Sequence, residues 1–249
     1  MQKIRRLPLH HAYNVRDLGG YAINEHAMTK WHQLYRSDSL EHLDEHDWQY
    51  LVKLNVKWII DLRSSSEIQQ MPYDCECYGI HYVTLPFMKE DKSPNELLDE
   101  EGRKQFLDSM KLCYESMIDE IHPQIVEAMN VIANALEHHE AVLFHCTAGK
   151  DRTGMLSALL LSLCGVDQYD ILADYQVSAT YNTVGVNQML PEEMMEIPAV
   201  KALFESTPAM MKPLIQKLAA TGTRQFLLNI GCNQEILDTI IKEFVKQNG

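Results

Sequence analysis

The stretch from Ala141 to Leu156, AVLFHCTAGKDRTGML, constrains the fold more than any other part of this chain. Its first five residues are mostly large and apolar and read as a buried strand. A short polar turn follows, and the apolar run MLSALLLSLC from Met155 to Cys164 reads as a helix. A strand, a tight turn with glycines and a helix in that order point backbone N–H groups and the positive end of the helix at one spot, which is an anion cradle. A helix apolar on every side has to be buried, and Gly165 is placed to end it as the C′ residue.

The rest of the chain alternates in the same way. Residues Asp44 to Leu54 put Trp48, Leu51 and Leu54 on one face behind an Asp N-cap, and Val56 to Ile60 follow as a short β-branched run. Ile80 to Leu85 is a second strand candidate. The third, Ala141 to His145, is reached through a helix from His122 to Glu137 with Ile125, Met129, Ile132 and Leu136 inside. Further helices are expected over Asp167 to Thr180, in the Met-rich stretch from Met189 to Met211, and over Asn233 to Val245. The expected fold is α/β, a central, mostly parallel sheet flanked by helices, with extra helices at the C-terminal end. No repeat and no linker divides the 249 residues, so one domain over 1–249 is expected. The charged segment from Lys89 to Lys104 reads as an exposed loop.

Within the cradle, Cys146 leaves the strand and Arg152 stands six positions later at the start of the helix. A chain with six Cys and eight Arg supplies roughly 0.2 such pairs by chance; adding His145, Gly149 and Thr153 lowers that to about 10⁻⁵. Free thiols, near 8.5, are mostly protonated at neutral pH, whereas loop amides, a helix N-terminus and an arginine all favour the thiolate, so Cys146 is expected to be an activated nucleophile. Arg152 offers a planar fork of donors that can hold two oxygens of a phosphoryl group through transfer. Thr147, Ala148, Gly149 and Lys150 are expected to wrap the phosphate through the loop, and the Thr153 hydroxyl to stabilise the sulfur when it re-forms. Asp151 is the first candidate for a general acid that protonates the leaving oxygen. Asp91, in the charged segment, is the alternative. No metal and no cofactor is called for. Cys75 and Cys77 with His81 lack the second pair of ligands that a structural zinc site needs.

Thirty-five acidic against 22 basic residues give a net charge of −13, which opposes non-specific binding to nucleic acid or anionic membranes and requires a local positive site for any anionic ligand. With 46% hydrophobic residues the chain can bury a core. The six cysteines show no disulfide framework, no leader and no run of 18 apolar residues is read, and the cytoplasm is the expected compartment.

The residues His145, Cys146, Arg152 and Thr153 match the signature His-Cys-x5-Arg-Ser/Thr, and here the chain resembles the cysteine-dependent protein tyrosine phosphatases. The blocks Asn14 to Tyr21, Tyr35 to Asp38, Asp61 to Ser64 with Glu67, and Gly149 to Gly154 resemble the bacterial tyrosine phosphatase family with dual protein and lipid activity. That resemblance implies hydrolysis of phosphotyrosine in proteins through a phosphocysteine, with the Cys loop at the carboxyl edge of a parallel sheet. It also implies that Lys150 can help to hold an extra phosphate, so that a phosphoinositide substrate stays open, as does a phosphate-binding module without turnover. A Trp-Pro-Asp loop is missing, which favours Asp151 as the acid. His145, Asp61 and Arg63 are expected as supporting residues, the last two as a scaffold ion pair. Asn14, Arg16 and Asp17 with Gly19 and Gly20 either brace the cradle or form a tight turn. A helical lid is expected within 187–220.

Overall fold

The computed structural model describes residues 2–88, 114–189 and 205–247. Its frame is a five-stranded sheet in the order β1 (Arg16–Asp17), β4 (Leu34–Ser37), β7 (Ala141–His145), β5 (Val56–Asp61) and β6 (His81–Thr84). β4, β7, β5 and β6 are parallel to their neighbours, and only the short edge strand β1 runs antiparallel. In β7, Val142 and Phe144 enter one core and Ala141 and Leu143 the other, so the two faces of this strand are both covered. That is why β7 reads as continuously apolar rather than alternating.

On one face lie α1 (Glu45–Lys53) and its Trp48 and Leu51. The other face carries α4 (His122–Glu137), α5 (Asp151–Leu163) and, outside them, α6 (Gln168–Met189), α7 (Pro208–Thr221), α8 (Thr223–Asn229) and α9 (Gln234–Phe244). Of two short helices, α2 (Ser65–Gln70) follows the carboxyl end of β5, and α3 (Tyr114–Glu120) packs against α5 and α7. Helix α1 starts where expected, the Asp44 carboxylate accepting from the Asp47 N–H at 2.8 Å. Helix α5 ends at Gly165 (φ +84°) in a Schellman motif, with Val166 N–H bonded to Leu161 O and Gly165 N–H to Ser162 O. Its Leu156, Leu159, Leu160 and Leu161 are fully buried, each contributing about 1.5–3 kcal/mol by leaving water.

Several elements differ from the sequence reading. Helix α6 runs to Met189 rather than Thr180. Cys75 and Cys77 flank the first residue of a 3-10 turn (Glu76–Tyr78) that periodicity does not signal, one thiol buried and the other exposed. A second sheet joins β2 (Ala22–Asn24), β3 (Ala27–Thr29) and β8 (Val245–Gln247), which pins residues 245–247 beside residues 27–29. Of the Met-rich region, α7 sinks Met211, Leu214, Ile215 and Leu218 into the core, while residues 190–204 lie outside the described residues, as does Asp91.

Candidate active site

Strand β7 is the middle strand of the sheet, and its carboxyl end delivers Cys146, 2% exposed, to the foot of α5. Between them the loop bends sharply at Gly149, whose φ is +62°. A Cβ there would stand 2.4 Å from the Ser37 carbonyl oxygen and 2.5 Å from the Asp38 nitrogen, so both the backbone angle and the space demand glycine.

Three successive loop carbonyls are held from outside. Thr147 O accepts from Ser39 N–H at 3.0 Å. Ala148 O accepts from the amides of Asn14 and Asn182, both at 2.9 Å. Gly149 O accepts from Asn14 at 3.0 Å and from Arg36 Nη2 at 2.7 Å. In a trans peptide the N–H lies opposite its carbonyl, and no cis bond occurs among the described residues. Outward carbonyls therefore turn the N–H groups of Ala148, Gly149 and Lys150 to the inside of the loop. Helix α5 adds its own free N–H groups there, because Lys150 at the N-cap offers no acceptor to satisfy them.

The anchors of the loop are themselves buried and charged. Arg36 and Arg16 share the Asp174 carboxylate, Arg16 Nε at 2.8 Å, and Arg16 Nη1 also donates to the Asn14 side chain that braces the loop. Burial alone would raise the Asp174 carboxyl, but the two guanidiniums hold it well below the ordinary carboxylate range. Asn14 thus braces the cradle. Asp17 forms a turn, accepting from Gly19 and His32 N–H. Behind the loop, Asp38 accepts from Tyr13 and Asn14 N–H at 2.9 and 3.0 Å, and burial pushes its carboxyl up to about 6.

Arg152 projects from the first turn of α5 and is gripped bidentately by Glu67, Nη1 to Oε2 at 2.6 Å and Nη2 to Oε1 at 2.8 Å. The Thr147 hydroxyl donates to the same carboxylate. Burial opposes charge on both partners, yet the pairing wins: Glu67 is brought down to about 2 and Arg152 stays firmly protonated. Glu67 is placed by a capping box with Ser64 at the start of α2. A Ser-x-x-Glu pattern is readable in sequence, but its second use, holding an arginine 85 positions away, is not.

His145 is fully buried, and burial lowers it, with the nearby Asp61 opposing. Its Nδ1 donates to Cys146 O at 3.1 Å, so in the neutral ring Nε2 accepts from the Tyr73 hydroxyl at 2.6 Å. Asp61 and Arg63 form the expected buried ion pair at 2.8 Å. Lys150, the candidate for a second phosphate, is only 1% exposed; its Nζ donates to Glu205 O at 2.9 Å and lies 3.4 Å from Asp151. Asp151 accepts from the Tyr114 hydroxyl, which is 2.7 Å from that of Tyr175. Nothing in the sequence singles out this tyrosine pair. Thr153 is buried, and its hydroxyl has no hydrogen-bond partner among the described residues.

The chain is similar to known proteins along most of its length. A tyrosine-protein phosphatase of Nostoc commune is 35% identical over 147 residues, 59% of this chain and 48% of the relative, so the chain spans about half of that protein. The triple specificity protein phosphatase PtpB of Mycobacterium tuberculosis is 31% identical over 195 residues, covering 69% of this chain and 68% of that one. Among solved structures, the core catalytic domain of the PP-IP phosphatase SIW14 from S. cerevisiae aligns with a TM-score of 0.41 and 16% identity over 82% of this chain and 97% of that one. The sequence model of the tyrosine phosphatase family matches residues 7–246, and the chain belongs to that family.

Proposed function

We propose that this protein hydrolyses phosphotyrosine in proteins through a phosphocysteine at Cys146. The observation that carries the reading is the set of outward-held carbonyls of Thr147, Ala148 and Gly149, which turns consecutive N–H groups inward beside Cys146 and Arg152. In the first step the ionised sulfur attacks phosphorus, the S–P bond forms and the P–O(aryl) bond breaks. A protonated Asp151 passes its proton to the departing phenolate. The loop N–H groups and Arg152 neutralise the charge on the three spreading oxygens. In the second step water attacks phosphorus, gives its proton to Asp151 and displaces the sulfur, which the Thr153 hydroxyl can stabilise.

A protein substrate is favoured over a phosphoinositide because the Lys150 ammonium is spent on Glu205 O and Asp151, not left for a second phosphate. The test is release of phosphate from an aryl phosphate and from a phosphotyrosine peptide, with trapping of the phosphoenzyme by acid quench. Cys146→Ser is expected to form no phosphoenzyme and to turn over nothing. Undiminished turnover by that variant overturns the proposal, and faster hydrolysis of an inositol lipid than of the peptide overturns the substrate class.

A further inference from the structure

Away from the loop, at the start of α1, four side chains converge that the phosphatase reading leaves without a use. His10, Asp44, His46 and Asp47 each present one ligand atom, and these atoms all lie within 4.8 Å of one another. The His10 and His46 rings stack with centroids 4.5 Å apart and planes within 3°. His10 Nδ1 is 3.7 Å from Asp44 Oδ2, and His46 Nδ1 is 3.9 Å from Asp47 Oδ1. We propose that this cluster binds a divalent ion of the zinc class.

The chemistry of the donor set selects the ion. Two imidazoles and two carboxylates suit a borderline cation, whereas calcium and magnesium prefer oxygen alone and copper(I) prefers sulfur. Bonds of about 2.0–2.1 Å in a tetrahedron put ligand atoms about 3.3–3.4 Å apart. The His10–Asp44 and His46–Asp47 pairs need to close by about half an ångström and the widest separation by about 1.5 Å. Both histidine side chains are free to make that move, being 57% and 62% exposed.

The carboxylates are already aimed. Asp44 uses Oδ1 to cap α1, which leaves Oδ2 facing the histidines. Asp47 is fully buried and oriented by three bonds, from His10 N–H, His11 N–H and the His11 ring. A supporting shell of that kind is what fixes a metal ligand in place. Neither aspartate pairs with a lysine or arginine among the described residues, so the two negative charges face only imidazoles. An ion here ties residue 10 to α1, three and four residues before Tyr13 and Asn14, the segment that grips Asp38 and the catalytic loop.

The test uses untagged chain carrying Cys146→Ser, so that the thiol of the loop does not compete and the readout is independent of activity. Zinc chloride is titrated calorimetrically, and cobalt(II) is added as a spectroscopic substitute. One ion per chain is expected, with visible cobalt bands that lack sulfur-to-metal charge transfer. His10→Ala with His46→Ala is expected to weaken zinc binding by at least roughly 100-fold, since direct ligands matter more than the shell around them. Asp44→Asn keeps an oxygen for the Asp47 N–H, so the melting temperature of the ion-free protein should hold while affinity falls roughly tenfold or more. If the double variant fails to fold, the single Asp44→Asn and His46→Gln variants read the same loss. Unchanged affinity in the variants, a sulfur charge-transfer band, or no heat of binding overturns the proposal.

Discussion

Glu67→Gln isolates the charge that positions Arg152 while leaving its shape and its capping-box bond to Ser64 N–H in place. The Glu67 carboxyl lies at about 2 against an ordinary 4.5, a difference of about 3 kcal/mol at full value. With 24% of the side chain open to water, screening reduces that to about 2 kcal/mol. The folded value is below the unfolded one, so this stabilisation is present above about pH 4.5 and is lost as pH falls toward 2. The variant should therefore melt about 4–8 °C lower than the parent at neutral pH, and the gap in unfolding free energy should shrink by more than half by pH 3. Turnover should suffer too: losing one charge-assisted bond of about 1.5–3 kcal/mol at the Arg152 fork corresponds to about tenfold to 100-fold in kcat/KM on an aryl phosphate. Urea titrations at several pH values, beside steady-state assays, measure both. A stability gap that stays flat from pH 7 to pH 3 would refute the assignment of this pair as an electrostatic clamp.

Gly149→Ala forces a left-handed backbone costing about 1–2 kcal/mol and drives a methyl into the Ser37 carbonyl, so phosphate release should fall at least roughly tenfold with an unchanged circular dichroism spectrum. Asp151→Asn should slow alkyl phosphates by about 10²–10⁴ and activated aryl phosphates far less; equal slowing in a leaving-group series would remove Asp151 as the acid. Asp174→Asn leaves two buried guanidiniums without their shared counter-charge, and denaturant unfolding should show a loss of about 3–5 kcal/mol.

The elements legible in the sequence are those with a strong local cause. Helix α4 and strand β7 have the bounds expected from periodicity, α1 is marked by its Asp44 cap, and the end of α5 by Gly165. The cradle is legible because a strand, a turn and a helix N-terminus are contiguous. The elements without a local signal are held together by distant partners. β4 is Leu-Tyr-Arg-Ser, four residues with no alternation, and is a strand because β7 pairs with it along its whole length. β2, β3 and β8 are three residues each and exist only through one another. Glu67 and Arg36 are marked in the sequence only by the family resemblance of their blocks, which does not say what they hold, Tyr114 carries no such mark, and His10 meets His46 only because α1 folds back over the N-terminal segment.

The bond network around Asp174 has a corollary for anyone surveying genomes. A fragment that stops shortly after residue 165 would contain the whole signature, yet it would lack the acid that lets Arg16 and Arg36 sit side by side and the Asn182 amide that tethers Ala148. Such a remnant would carry the motif while leaving Arg36, which holds the Gly149 carbonyl, beside Arg16 without their shared counter-charge, so competence in this lineage depends on residues well beyond the signature.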